Sequence, residues 1–207
     1  MVTKRQDDAD TLPQHYGAAL DHFGHLLRQV EPHQWGHRTP CRHWSVRALA
    51  NHVIVQHLWV PPLLAGTPAV ALADREGTDV LGAAPVLAWK RAATLAEEAV
   101  HTGGALDRTV VLSAGPASAA HLCSQIAMDT VVHAWDLARA LGAEERLPDP
   151  LVEFALRELS GYADRLAATG LFDPPLPVPV PQGADPQTRL LALTGRSAED
   201  SGSHRPT

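Results

Sequence analysis

Residues 118–141 carry two carboxylates and a histidine at spacings that could hold a cation. This stretch has no Pro and no internal Gly, and Gly142 follows it, which predicts one long helix that ends at the glycine. Asp129 and His133 are four residues apart, so their side chains lie one turn apart on one face, with Asp136 beside them. Gathering these groups on an otherwise apolar helix indicates a divalent metal site.

The spacing alone leaves a second interpretation open, in which Asp129 and His133 form a hydrogen-bonded pair without a metal. In that case, the core-facing side of the helix would consist of Ile126, Val132 and Leu137. Because an Asp-x-x-x-His spacing also arises by chance, a metal site requires a further ligand from elsewhere in the chain.

A second predicted helix could supply that ligand. It begins at Val46, after Ser45 as N-cap, and carries both His52 and His57. Periodicity slightly favours His57, which lies in the middle of the apolar face, whereas His52 lies toward its edge. Either histidine could instead be hydrogen-bonded to a backbone carbonyl or to water.

Composition indicates an ordinary globular protein and argues against several other classes. The chain of 207 residues is 45% hydrophobic and 19% charged, and its net charge of −6 comes without a basic run, which argues against a general nucleic-acid binder. There is no signal-peptide core and no stretch of about 18 apolar residues. These features predict a cytoplasmic protein that does not enter a membrane. Cys41 and Cys123 are too few for a disulfide framework, and although thiols are soft metal ligands in principle, both are expected to be buried and inert.

The spacing of apolar residues predicts an all-α fold, with a four-helix bundle that has a long crossover between its second and third helices. A β-branched stretch at residues 106–112 predicts a short extended piece before the fourth helix. The four helices are predicted at residues 12–30, 46 to about 59 or 64, 85–100 and 118–141, and Pro61 and Pro62 are expected to bend or end the second of them.

Two further elements follow the bundle, an extra helix over residues 151–168 and a Pro-rich extended segment that leads into a short last helix over residues 187–193. The predicted organisation is a disordered N-terminus (1–10), a metal-binding helical bundle (11–170), the Pro-rich segment with the short helix packed on the bundle (171–196), and a disordered tail (197–207).

Three motifs in order carry a resemblance to a known family. The first combines Thr-Pro-Cys at 39–41, Trp-Ser-Val-Arg at 44–47 and Leu-Ala-Asn-His at 49–52; the second reads Asp-Thr-Val-Val-His-Ala-Trp-Asp-Leu-Ala-Arg at 129–139; the third includes Asp185 and the run from Arg189 to Arg196. Together they resemble the DinB-like, maleylpyruvate-isomerase-like proteins of actinobacteria, and the last motif resembles an uncharacterised metal-binding branch of that group.

The resemblance implies a DinB-like four-helix bundle that holds a divalent metal, zinc or nickel, through His52, Asp129 and His133. In the best-known relative a Glu stands in the place of Asp129. The resemblance also implies mycothiol as the thiol, and hence a metal-dependent, thiol-using transferase or cis–trans isomerase that acts on a small electrophilic substrate. A homodimer is left open.

Two residues are predicted to be catalytic, Asp136 and His57. Asp136 could hold the free ring nitrogen of a ligand histidine, or it could form a salt link to Arg139 or another Arg, and both alternatives stay open. His57 would line the pocket. The alternative functions are a thiol-independent bundle enzyme, such as a hydrolase or cyclase in a biosynthetic pathway, and a non-enzymatic metal-binding stress protein.

Overall fold

The computed structural model describes residues 3–41, 44–75, 77–160 and 183–197. The chain forms two compact units, residues 1–145 and 146–207. In chain order, the helices and strands of the described residues are α1 (Thr3–Leu27), α2 (Val46–Leu64), α3 (Pro85–Val100), β1 (Thr109–Leu112), β2 (Gly115–Ser118), α4 (Ala119–Leu141), α5 (Asp149–Ser160) and α6 (Pro186–Leu193). Two short 3-10 turns, Pro32–Gly36 and Ala69–Arg75, lie in the connections.

The first unit is a four-helix bundle, which confirms the predicted all-α, DinB-like class. Helix α1 packs against α3 and α4, and α2 packs against the same two helices, so the four surround one common core. Burying a large apolar side chain contributes about 1.5–3 kcal/mol. The largest fully buried side chains of the four helices include Tyr16, Phe23, Leu49, Ile54, Met128 and Trp135.

Helix α4 is buried on nearly all sides, and its ends are fixed by the chemistry that the sequence predicts. The hydroxyl of Ser118 accepts a hydrogen bond from the backbone N–H of His121 at the start. Gly142 ends the helix with φ of 67°, a left-handed conformation that glycine adopts at little cost. Because both ends are defined, the polar groups of α4 are held at fixed positions within the bundle.

Helix α1 begins at Thr3 and ends at Leu27, whereas the apolar spacing predicts residues 12–30 and a disordered N-terminus before them. Residues 3–10 include Lys, Arg, Gln and Ala, which have good helix propensity, so they extend a helix whose later turns pack against α3 and α4.

The predicted extended piece is present as β1, and it pairs with a second strand, β2, that is not among the predicted elements. Strands β1 and β2 form an antiparallel hairpin in which Thr109 faces Ser118 and Leu112 faces Gly115. Gly115 has φ of 117°, a conformation that a residue with a Cβ rarely adopts. The hairpin leads directly into the N-cap of α4.

In the second unit, α5 packs against α6. Asp185 caps α6 by accepting hydrogen bonds from the backbone N–H groups of Gln187 and Thr188. The rest of the predicted fifth helix, the Pro-rich segment up to residue 182 and the tail after residue 197 lie outside the described residues. The packing of residues 171–196 on the bundle stays a prediction.

Among the helices within residues 3–160 and 183–197, none combines the length and the apolar character that a membrane crossing requires.

Candidate metal centre

Helices α2 and α4 bring His52, Asp129 and His133 together. The Oδ2 atom of Asp129 lies 3.3 Å from Nε2 of His52 and 3.4 Å from Nε2 of His133. The two imidazole rings are 5.3 Å apart and nearly perpendicular. One ligand-type atom from each residue lies within 4.8 Å of the other two. These are the three ligands that the resemblance implies, and ligation of a metal by them stays a prediction.

Asp129 provides a test of whether this cluster fits a cation. Its side chain is buried, and its Oδ1 atom has no hydrogen-bond partner within the described part of the chain. A buried carboxylate oxygen without a partner costs free energy that a bound cation would offset. Two imidazoles and one carboxylate are also a common ligand set of zinc. The donors present therefore fit a divalent cation.

The electrostatics favour opposite charges on Asp129 and His133. Burial alone would lower the pKa of His133, but the carboxylate of Asp129 and the hydrogen bond to Asp136 raise the pKa to about 10. Burial alone would raise the pKa of Asp129, but the charge of His133 and the hydrogen bond from His52 hold it below its usual value. At neutral pH the two form a buried ion pair, which a cation would replace by displacing the imidazolium proton.

Asp136 supports the His133 ring from the side opposite to Asp129. The carboxylate is fully buried, and its Oδ2 accepts a hydrogen bond of 2.9 Å from Nδ1 of His133. This bond places a proton on Nδ1 and turns Nε2 toward Asp129, as in many histidine ligands of metals. Arg139, the alternative partner considered for Asp136, forms an ion pair of 2.6 Å with Glu145 and covers the ring of Trp135.

We expect Asp136→Asn to weaken zinc affinity by about 10- to 100-fold, because an amide holds the ring of His133 less firmly than a carboxylate. Competition titration against a fluorescent chelator measures the effect. Asp107→Asn, at an exposed position of the same unit, is the matched control and should bind zinc as the wild type does. Equal affinities for both variants would exclude the supporting function of Asp136.

Three further residues, none of them predicted to belong to this cluster, are in contact with it. The ring of Trp44 lies 4.5 Å from that of His52 and 5.5 Å from that of His133. Gln56, one turn after His52, places Nε2 2.9 Å from Nε2 of that histidine. Because Gln56 follows His52 by four residues, their contact could have been predicted from the sequence. Cys41, expected to be an inert thiol, donates a hydrogen bond of 3.3 Å to Asp136.

His57 lies in a separate buried chain of hydrogen bonds. The hydroxyl of Thr130 donates to the carbonyl of Ile126, so the His57 Nε2–H donates to Thr130 at 3.0 Å, and Nδ1 accepts from the hydroxyl of Tyr16 at 2.7 Å. Burial lowers the pKa of His57 to about 3, which keeps the ring neutral. Both ring nitrogens of His57 are therefore hydrogen-bonded to residues other than Asp129.

Comparisons with known proteins match most of this chain. A family model, described as the mycothiol maleylpyruvate isomerase N-terminal domain, matches residues 16–138, which include all three residues of the cluster. Two uncharacterised proteins of Mycobacterium tuberculosis, from strains CDC 1551 and H37Rv, are each 31% identical to the chain over 183 residues, which cover 86% of this chain and 94% of the relative. No solved structure matches the chain significantly.

Proposed function

Because the chain belongs to the mycothiol maleylpyruvate isomerase N-terminal domain family, we propose that it is a metal-dependent enzyme that uses a thiol to isomerise a small electrophilic substrate or to transfer a group to it. The family associates the chain with mycothiol-related, isomerase-like chemistry, and we propose mycothiol as the thiol. The observation that carries the metal dependence is the convergence of His52, Asp129 and His133 around a buried carboxylate oxygen that lacks a partner.

The three side chains would hold a divalent cation, zinc or nickel, and three protein ligands leave a position for a guest. The cation, when bound, would supply the positive charge that lets a thiol ionise near neutral pH. Asp136 holds the proton on Nδ1 of His133 and thereby keeps Nε2 directed at Asp129. Trp44 packs beside the rings of His52 and His133 and limits their motion.

Thiol binding tests the proposal. We expect mycothiol to bind zinc-loaded protein saturably at or below millimolar concentration in calorimetry, and to raise the melting temperature. S-methylated mycothiol, which has the same body but no ionisable thiol, should bind at least about tenfold more weakly because a thioether cannot become an anionic ligand. His52→Ala should lose the difference between the two compounds.

No response to either compound at millimolar concentration would favour the thiol-independent enzyme instead. If mycothiol binds but no cis-unsaturated acid or alkylating electrophile is turned over, a non-enzymatic metal-binding protein becomes the better description.

A further inference from the structure

A second cluster of ligand-type atoms lies on the opposite edge of the His133 ring. The Sγ atom of Cys41 is 3.8 Å from Nδ1 of His133 and 3.3 Å from Oδ2 of Asp136, and those two atoms are 2.9 Å apart. We call these three residues the thiol cluster. It uses Nδ1 of His133, whereas the cluster of His52 and Asp129 uses Nε2 of the same ring.

The distances within the thiol cluster are close to those around a tetrahedral cation. With metal–sulfur bonds of about 2.3 Å and metal–nitrogen or metal–oxygen bonds of about 2.0–2.1 Å, ligand atoms lie about 3.6 Å apart when one is sulfur and about 3.4 Å apart otherwise. The thiol cluster matches these separations to within about half an ångström. A cation could therefore enter with only small side-chain movements.

The surroundings of the thiol cluster also suit cation entry. Cys41 is partly exposed and lies in the loop between α1 and α2, whereas His133 and Asp136 are buried on α4. The buried residues of α4 thus form one side of the thiol cluster, and the partly exposed Cys41 forms the other. The remaining cysteine, Cys123, differs in both respects, because it is fully buried and burial raises its pKa to about 12.

We propose that the thiol cluster is a second cation position, selective for thiophilic divalent ions such as cadmium and zinc. A thiolate prefers such ions over harder ones. On binding, Cys41 and the His133 imidazolium each release one proton to solvent. The remaining ring proton then resides on Nε2, where Oδ2 of Asp129, 3.4 Å away, can accept it.

The two positions compete for His133. A neutral imidazole has one lone pair, so it can serve a cation at Nδ1 or at Nε2, but not at both. A thiophilic ion in the thiol cluster would therefore displace a cation held by His52 and Asp129. This competition holds whether or not the protein uses mycothiol, so the inference stands apart from the proposed function.

Cadmium titration of the zinc-free protein tests the proposal, because a cadmium–thiolate bond produces a charge-transfer band in the ultraviolet. We expect the band in the wild type and in His52→Ala, and its loss in Cys41→Ser. Cys123→Ser is the matched control for removal of a thiol and should keep the band. Asp136→Asn should keep the band and weaken cadmium affinity by about tenfold or more.

The absence of a band in the wild type, or a band that survives in Cys41→Ser, would overturn the proposal. Melting curves of each variant show whether it is folded, and Cys41→Ala provides a second removal of the thiol if the serine variant is not. If the band appears as expected while mycothiol fails to bind zinc-loaded protein, only the proposed function is contradicted.

Discussion

His133→Ala is expected to lower zinc affinity by about 1,000-fold or more, which corresponds to about 4 kcal/mol. The large effect follows from the position of the ring, which offers a nitrogen to each of the two clusters. Zinc content after dialysis and competition with a chelator measure the loss. His121→Ala removes an exposed histidine from the same helix and should retain wild-type zinc content.

Because His133 is buried, a second variant guards against a loss caused by misfolding. The side chain of His52 is 32% exposed, so His52→Ala should lower the free energy of unfolding of the zinc-free protein by only about 1 kcal/mol, through loss of the contact with the buried Asp129, while still lowering zinc affinity by about 100-fold or more. Wild-type zinc content in both His133→Ala and His52→Ala would exclude the proposed ligand set.

His57→Leu is expected to lower the free energy of unfolding by about 3 kcal/mol, although it leaves zinc affinity close to that of the wild type. Leucine fills much of the volume but leaves the buried hydroxyl of Tyr16 without its acceptor and Thr130 without its donor. Urea denaturation of the zinc-free protein measures the change. Tyr16→Phe removes one of these hydrogen bonds and should cost about 1 kcal/mol. In the double variant the two losses should not add, since the groups are in contact.

His57 also makes the stability of the protein depend on pH, and the direction of this dependence follows from its pKa. The folded-state pKa of His57 is about 3, below the ordinary value of 6.5, so above pH 6.5 the ring is neutral in both states and costs nothing. As the pH falls from 6.5 toward 3, the unfolded chain takes up a proton that the folded protein cannot. Wild-type stability should therefore fall relative to His57→Leu by up to about 1.4 kcal/mol per pH unit. Parallel stability curves for the two proteins would contradict this.

The catalytic function that the sequence predicts for His57 stays a prediction, and an effect of His57→Leu on turnover with unchanged stability would support it. The two outcomes are separable because stability and zinc affinity are measured independently of activity.

Elements that depend on local chemistry could be predicted well from the sequence. The starts of α2 and α4 follow from their serine N-caps and the end of α4 from Gly142, all of which act within a few residues, while apolar periodicity predicts α3. The end of α2 could not be fixed in this way, because Pro61 and Pro62 lie inside the helix. The start of α1 could not be predicted in this way, because a polar segment with good helix propensity continues a helix only when the following turns are packed. The β2 strand was missed because a Gly-Pro pair reads as a turn.

In the candidate site, too, local sequence patterns predict less than the packing between helices decides. Periodicity slightly favoured His57 over His52, and the motif favoured His52. In the structure His52 contacts Asp129, whereas His57 contacts Tyr16 and Thr130. Helix α2 is apolar over a wide arc, so its own pattern cannot tell which neighbour each histidine meets.

The position of Cys41 was beyond the reach of sequence patterns. It meets Asp136 across 95 positions of the chain, and that contact depends on the path of a loop.

The buried helix that supplies Asp129, His133 and Asp136 also has a consequence for the rate at which an ion is exchanged. The side chains of these residues are at most 5% exposed, while that of His52 is 32% exposed. Solvent would therefore reach a bound cation from the α2 side, and departure of the ion would begin with rotation of the His52 ring. The residence time of the ion should then depend on how tightly Trp44 and Gln56 restrain that ring, more than on the strength of the contacts made by α4.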